Sequence, residues 1–263
     1  MAKKNSGGSN KGLSKGLLYT GIGVAAAIVV AVIVLVIIKV TGDKDDSQPV
    51  QASANTIEFA ENEAARFGDT AFSMEEFILY AIPIYSEYEQ IYGKDIWEKQ
   101  VEYNGTVMTY EEFAKCDILD TASCVKALAK KFDADGGTIT EDEEQMILES
   151  AQGYFDSLNE AGVDADSIGL MTIYGHMYEA YLAEKEYAFL FGSDADAESD
   201  EVINRMADIL TAFRGEDYDI NKNVNWKVVD LLSFSTANTS YMDAETAIDG
   251  AVTLDQDNEE TDQ

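Results

Sequence analysis

An uncharged run of 22 residues, from Leu17 to Ile38, constrains this chain more than any other feature of its sequence. The run is rich in Val, Ile and Ala and would be apolar on every side of a helix. Such a helix would be about 33 Å long, enough to cross a hydrocarbon core of about 30 Å. The run also exceeds the apolar core of a cleaved signal peptide, which has roughly 7 to 15 residues. The sequence therefore predicts a single-pass transmembrane signal anchor at residues 17–38, with a buried helix of a soluble protein as the alternative.

Charge is divided unevenly on the two sides of this run. Four lysines and no acidic residue precede it, whereas the whole chain has 50 acidic and 18 basic residues and a formal net charge of -32. Because positive residues stay on the cytoplasmic side, residues 1–16 are predicted to be cytoplasmic and the acidic remainder extracytoplasmic. The protein would thus lie in the cell membrane through its N-terminal helix. A surface this acidic repels phosphate, which excludes nucleic acid as a partner.

The acidic part divides into a linker, a domain and a tail. Residues 39–56 are polar without an apolar period and predict a flexible linker. Residues 57–235 carry helical apolar spacing, and residues 236–263 form an acidic tail predicted to be disordered. The predicted fold is mainly all-α, with a short strand pair as an option.

Three capping boxes mark helix starts in the predicted domain, at Ser73–Glu76, Thr109–Glu112 and Thr140–Glu143. Together with the apolar spacing they predict helices over about 74–92, 110–132, 141–159, 167–191 and 199–213. Strand signals are scarce. Residues 67–70 are compatible with a short strand, and residues 224–234 with either a strand or a helix.

Few residues offer catalytic or metal chemistry. A single His excludes sites that need two imidazoles, and no catalytic residue, metal or cofactor is predicted. We expect His176 to pair with Glu179 on one helix face. Cys116 and Cys124 are separated by about 12 Å of helical rise, which is too far for a disulfide, so free thiols are expected.

The segment from Asp133 to Glu144 resembles a calcium-binding EF-hand loop, but Gly137 and Ile139 each come one place early. A helix–turn–helix, in which Gly136-Gly137 ends one helix and Thr140 caps the next, is the favoured interpretation. A calcium-responsive module remains an alternative.

Two rows of tyrosine at helical spacing, with neighbouring Trp and Met residues, are the candidate binding groups. Aromatic rings with a polar tip suit sequence-tolerant contacts with unfolded peptide, although such rows also occur in cores. The predicted client-binding residues are Tyr80, Tyr85, Tyr88, Tyr92, Trp97, Tyr174, Met177, Tyr178 and Tyr181.

Several segments, in the same order, resemble a known family. These are Ala65 to Phe77 (ARFGDTAFSMEEF), Tyr88 to Trp97 (YEQIYGKDIW), Gly137 to Glu144 (GTITEDEE), Glu184 to Tyr187 (EKEY) and Tyr218 to Trp226 (YDINKNVNW) followed by Phe234. They are similar to the chaperone part of extracytoplasmic foldases of the PrsA/SurA type, over roughly residues 57–235.

The resemblance implies a multi-helix SurA/trigger-factor-like chaperone domain that binds unfolded or extended secreted polypeptides. In full foldases of this group a parvulin-type prolyl isomerase domain follows the long helix. Here Gly192 leads through the acidic segment 193–200 into the next helix, so the resemblance implies client handling without the isomerase domain. A diverged prolyl isomerase and a structural module of the cell envelope are the alternatives.

Overall fold

The computed structural model describes residues 57–103, 106–193, 195–196 and 199–234. The predicted anchor, the linker at 39–56 and the tail at 236–263 lie outside these ranges. Among the helices of the described ranges, none combines the length and the apolar character that a membrane crossing requires.

The described chain is mostly helical, which confirms the mainly all-α prediction. Two short antiparallel hairpins accompany the helices. In chain order the elements are β1 (Glu63–Phe67), β2 (Thr70–Ser73), α1 (Met74–Tyr92), a 3-10 helix (Lys94–Ile96), β3 (Gln100–Tyr103), β4 (Thr106–Thr109), α2 (Tyr110–Ala134), α3 (Glu141–Glu160), α4 (Ala165–Ile168), α5 (Leu170–Phe191), α6 (Asp200–Arg214), α7 (Ile220–Asn223) and α8 (Trp226–Val229).

All three predicted capping boxes are present, and they begin α1, α2 and α3. In each, the hydroxyl of Ser73, Thr109 or Thr140 accepts a hydrogen bond from the backbone N–H three residues on. The glutamate at that later position accepts one in return from the backbone N–H of the capping residue. Helix starts that are determined locally are therefore predicted correctly.

Two predicted segments differ from the structure. Residues 67–70 are not a strand of their own, because Gly68, with φ at +57°, forms the turn that joins β1 to β2. The fourth predicted helix is divided at Gly169, whose φ of +86° separates α4 from α5. A positive φ is accessible to glycine at little cost, so both turns have a local cause.

The loop between α2 and α3 is the favoured helix–turn–helix. Gly136 adopts φ +80°, and Asp135 receives hydrogen bonds from Lys131 at 2.9 and 3.1 Å. An acid that the EF-hand alternative would need for calcium is therefore engaged by an ammonium group.

Helix α2 is the centre of the fold and packs against α1, α5 and α6, while α3 packs against α5. Contacts at both ends show that α1 and α2 are antiparallel: Glu76 meets Lys126, and Tyr88 meets Tyr110. Amphipathic helices that pack in this way bury a main core, to which both hairpins contribute.

The segment after α6 returns to the first hairpin and closes the domain. Val224 forms a β-bridge with Ala65, and the Asn225 backbone N–H donates to the Ala64 carbonyl at 2.8 Å. The Asn225 side chain donates to the Glu63 carbonyl at 3.1 Å. The ambiguous segment 224–234 is thus one bridge residue followed by the short helix α8, and Phe234 ends buried beside Trp97.

Candidate functional site

A continuous row of five aromatic rings lies where the end of α1 meets the second hairpin and the start of α2. Successive ring centroids are 5.1 to 6.3 Å apart, which is the usual range for aromatic pairs. Every ring retains exposed surface, and Tyr92 is 53% exposed. We call this row the tyrosine surface; in spatial order it consists of Tyr92, Tyr88, Tyr110, Phe113 and Tyr103.

The tyrosine surface rests on a buried aromatic base. Trp97, only 1% exposed, stacks on Tyr85 with an interplanar angle of 6° and on Tyr88 at 5.8 Å. Its indole N–H donates to Glu89 at 3.0 Å, so its polar atom is satisfied. Phe234, from the segment that follows α8, packs on Trp97. The base fixes the rings above it, since each aromatic pair contributes about 0.5–1.5 kcal/mol beyond burial.

The local sequence explains this convergence. Tyr85, Tyr88 and Tyr92 are spaced at three and four residues and so share one face of α1. Gly93, at φ +83°, ends the helix and turns the chain into the 3-10 segment that places Trp97 beneath that face. The hairpin β3–β4 then brings Tyr103 and Tyr110 to the same end of the domain.

The surroundings of the tyrosine surface are acidic. Residues 84–117 contain eight acidic and three basic residues. Among the basic groups, Lys99 pairs with Asp95 at 3.0 Å and Lys115 pairs with Glu111 at 3.1 Å. Ile91, 59% exposed, adds apolar area beside Tyr92. This end of the domain thus combines partly exposed aromatic rings with a negative potential.

The second predicted row does not join this surface. The hydroxyls of Tyr181 and Tyr174 donate to Glu143 at 2.7 Å and to Glu144 at 3.3 Å, at the start of α3. Tyr178 packs on the small cluster of Ala129, Phe132 and Leu182, and Met177 borders the main core. Lys185, with the Thr140 N–H and Tyr181, lowers the pKa of Glu143 to about 2. These α5 side chains are half-buried, as Tyr88 is, and Tyr174 and Tyr178 form a separate aromatic pair with ring centroids 5.7 Å apart.

Tyr80 and His176 belong to a third place, a buried charged cluster between α1, α2 and α5. Lys126 bridges Glu76 at 2.6 Å and Glu179 at 2.8 Å. His176 does not pair with Glu179 as expected, because Lys126 engages that carboxylate. The imidazole instead packs perpendicular to the Tyr80 ring, with the ring centroids 4.5 Å apart. Burial lowers the pKa of His176 to about 4, so the ring is neutral at pH 7.

The two cysteines are free and buried, as predicted. Burial raises the pKa of both thiols, that of Cys124 to about 12. Within the described ranges no group of three or more His, Cys, Asp or Glu side chains is arranged to hold a metal ion. Because the pKa of each thiol is raised, neither cysteine is a thiolate nucleophile at neutral pH.

Asp117, next to Cys116 on α2, supports a test of the local electrostatics. Burial, with a further contribution from Asp120, raises its pKa to about 7. A folded-state pKa above the unfolded value means that ionisation destabilises the fold, and this cost grows as the pH rises. Asp117→Asn should therefore raise the free energy of unfolding by about 1–2 kcal/mol at pH 8, a figure reduced for partial exposure. Urea unfolding of the variant and the unchanged protein at pH 8 and pH 4 measures this gain in stability. An equal gain at both pH values would contradict the raised pKa of Asp117.

The sequence-based prediction missed residues that approach from a distance. Tyr103, Tyr110, Phe113 and Phe234 complete the aromatic site, and Lys126 organises the charged cluster. The Asn104-Gly105 pair between two apolar and aromatic runs was a usable hairpin signal. Phe234 and Lys126 contact residues far away in the chain, and no local pattern indicates that.

No protein-family model matches the chain, and the searches of curated proteins and of solved structures also gave no match.

Proposed function

We propose that this protein is a membrane-anchored, extracytoplasmic, chaperone-like protein without a parvulin-type isomerase domain. It holds unfolded or extended secreted polypeptides on the tyrosine surface. The supporting observation is the continuous row of partly exposed rings from Tyr92 to Tyr103 on a buried aromatic base. The predicted anchor at 17–38 supplies the membrane attachment, with the N-terminus in the cytoplasm.

The chemistry of the surface suits clients without a fixed sequence. Tyrosine presents a large apolar face with few rotatable bonds, so it gains contact area at a low cost in conformational entropy. The rings share one end of the domain and follow a path of at most about 23 Å between centroids, which an extended chain of about seven residues, at 3.3 Å each, would cover. Binding would therefore depend on apolar side chains of the client and little on their order.

The acidic surroundings favour basic clients. Opposite charge raises the rate of encounter and the local concentration of a basic chain, and salt screens the effect within about 10 Å at 0.1 M. A client rich in Lys and Arg should bind better than an acidic client of equal hydrophobicity, and the difference should decrease with added salt.

Suppression of aggregation by the full-length chain in lipid nanodiscs tests this function. Tyr92→Ser removes an exposed ring from the surface and should raise the concentration needed for half-suppression of a basic secreted client about fivefold, or about 1 kcal/mol.

Phe189→Ser is the matched control, because Phe189 is 76% exposed and lies at the other end of the domain. Glu186, three residues before Phe189 on α5, lies beside Lys131 near the C-terminal end of α2. Tyr110 of the tyrosine surface is the first residue of α2, so the two positions lie at opposite ends of that helix. The control should change the half-suppressing concentration less than twofold. Equal effects of the two variants, or no suppression by the unchanged protein, would overturn the proposal.

A further inference from the structure

The hairpin β3–β4, which carries Tyr103 of the tyrosine surface, has an edge where another strand can pair. In the described part of the chain this sheet consists of two strands, and the isolated β-bridge joins the first hairpin instead. The outer side of such a strand presents a row of backbone N–H and C=O groups, which is a template for pairing with another extended chain.

The register of the hairpin shows which backbone groups point outwards. The Tyr110 N–H donates to the Lys99 carbonyl at 2.9 Å, and Gln100 lies opposite Thr109. Hydrogen-bonded and non-hydrogen-bonded pairs alternate along an antiparallel ladder, so Gln100 and Glu102 belong to non-hydrogen-bonded pairs. Their N–H and C=O groups therefore point away from β4, and both residues are exposed.

The outer edge of β4 is less suitable. By the same register, the backbone groups of Val107 and Thr109 point away from β3. The Thr109 N–H, however, donates to Glu112 at 2.7 Å, because Thr109 is the N-cap of α2. The β3 edge is thus the one that keeps its outward donors and acceptors available along the strand.

Side chains on β3 alternate between two environments. Val101 and Tyr103 are half-buried, whereas Gln100 and Glu102 are exposed. The Tyr103 ring meets Phe113 of the tyrosine surface, with centroids 5.1 Å apart. A strand added beside β3 repeats this alternation, so one set of its side chains lies on the side of Tyr103 and the other set beside Glu102. Apolar side chains suit the first place and basic side chains the second, since opposite charges on neighbouring strands attract.

We propose that the bound polypeptide pairs with the edge of β3 as an antiparallel third strand, and that the preferred client segment alternates apolar and basic residues. Backbone pairing is independent of the client's side chains, which suits clients without a fixed sequence, and the alternation sets the preference among them. The segment is continuous with the tyrosine surface through Tyr103. This inference rests on the proposed function and adds to it the conformation and the pattern of the client.

Backbone N-methylation of a peptide tests the pairing on the unchanged full-length chain in nanodiscs. The probe is a labelled seven-residue peptide of alternating Val and Lys, and fluorescence anisotropy measures its binding. Its Lys residues lie opposite Gln100 and Glu102, so their N–H groups face β3, whereas those of its Val residues face away. N-methyl groups on the Lys residues should weaken binding about tenfold or more, because they remove the paired donors. The same groups on the Val residues should change binding less than about threefold.

Two proline variants test the same edge from the side of the protein. Gln100→Pro removes an N–H that points out of β3, and Val107→Pro removes one that points out of β4, so both keep the hydrogen bonds within the hairpin. The first should weaken binding of the alternating peptide about fivefold, and the second should change it less than about twofold. The comparison of N-methylated peptides does not depend on the folding of either variant.

The outcomes separate this inference from the proposed function. Equal affinities of the two N-methylated peptides would overturn the third strand on β3 while client binding stands. A dimer of the unchanged protein that Gln100→Pro dissociates would assign the edge to a second copy and would overturn it too. If no peptide binds but aggregation is still suppressed, only the strand pairing is wrong, and if suppression is also absent, both proposals are wrong.

Discussion

Replacing Lys126 by Met should lower the free energy of unfolding by about 3 kcal/mol. The ammonium of Lys126 lies 2.6 Å from Glu76 and 2.8 Å from Glu179, and without it two carboxylates face each other between helices. Breaking a buried ion pair by removing one partner costs about 3–5 kcal/mol. We take the lower end, because the two glutamate side chains are 20% and 34% exposed and water reaches them.

A matched triple variant separates charge from packing. Combining Lys126→Met with Glu76→Gln and Glu179→Gln removes all three charges and keeps the side-chain volumes. We expect the triple variant to regain most of the lost stability in urea unfolding of the nanodisc-embedded protein. If the single and triple variants were equally unstable, the loss would come from packing alone.

The second large effect is the pH dependence that His176 confers. Its folded-state pKa of about 4 is below the value of 6.5 expected for an unfolded chain. Between these pH values the unfolded state therefore binds more protons than the folded state. The contribution of the neutral His176 to the free energy of unfolding is fully present above pH 6.5 and is lost as the pH falls towards 4. Lowering the pKa from 6.5 to about 4 sets an upper limit of about 3.4 kcal/mol, and we expect about 1–3 kcal/mol because the His176 side chain is half-buried.

The groups facing His176 are Tyr80 and Glu76 from α1 and Lys126 from α2. Many carboxylates titrate in the same range, so the useful quantity is the difference from His176→Gln, which has no charge at any pH. Urea unfolding of both proteins at pH 7, 6, 5 and 4 should give curves that diverge below pH 6.5. Parallel curves would contradict the lowered pKa of the His176 imidazole.

Helix positions were predictable because their causes are local. The starts of α1, α2 and α3 depend on a hydroxyl and a glutamate three residues apart. The hydrogen bonds that the sequence predicts between these groups and the backbone are present in the structure. The turn between α2 and α3 was also predictable, since Gly136 and Thr140 end one helix and begin the next.

The candidate site was only partly predictable, because the same aromatic spacing on a helix occurs in cores and on surfaces. Tyr88 and Tyr92 belong to the tyrosine surface, whereas Tyr80 and Trp97 are buried, and the half-buried residues Tyr174 and Tyr181 bond to the start of α3. Tertiary contacts decide this difference. Trp97, for example, is covered by Phe234, which is supplied by a segment that returns only after α6.

Site-specific photocrosslinking tests the central claim most directly. A benzoylphenylalanine residue in place of Tyr92 or of Phe189 presents the same photoreactive group at two exposed aromatic positions at opposite ends of the domain. With a basic unfolded client and the full-length protein in nanodiscs, the account predicts strong crosslinks from position 92 and few from position 189, both reduced by added salt. Equal yields at the two positions, or a higher yield at 189, would contradict binding at the tyrosine surface.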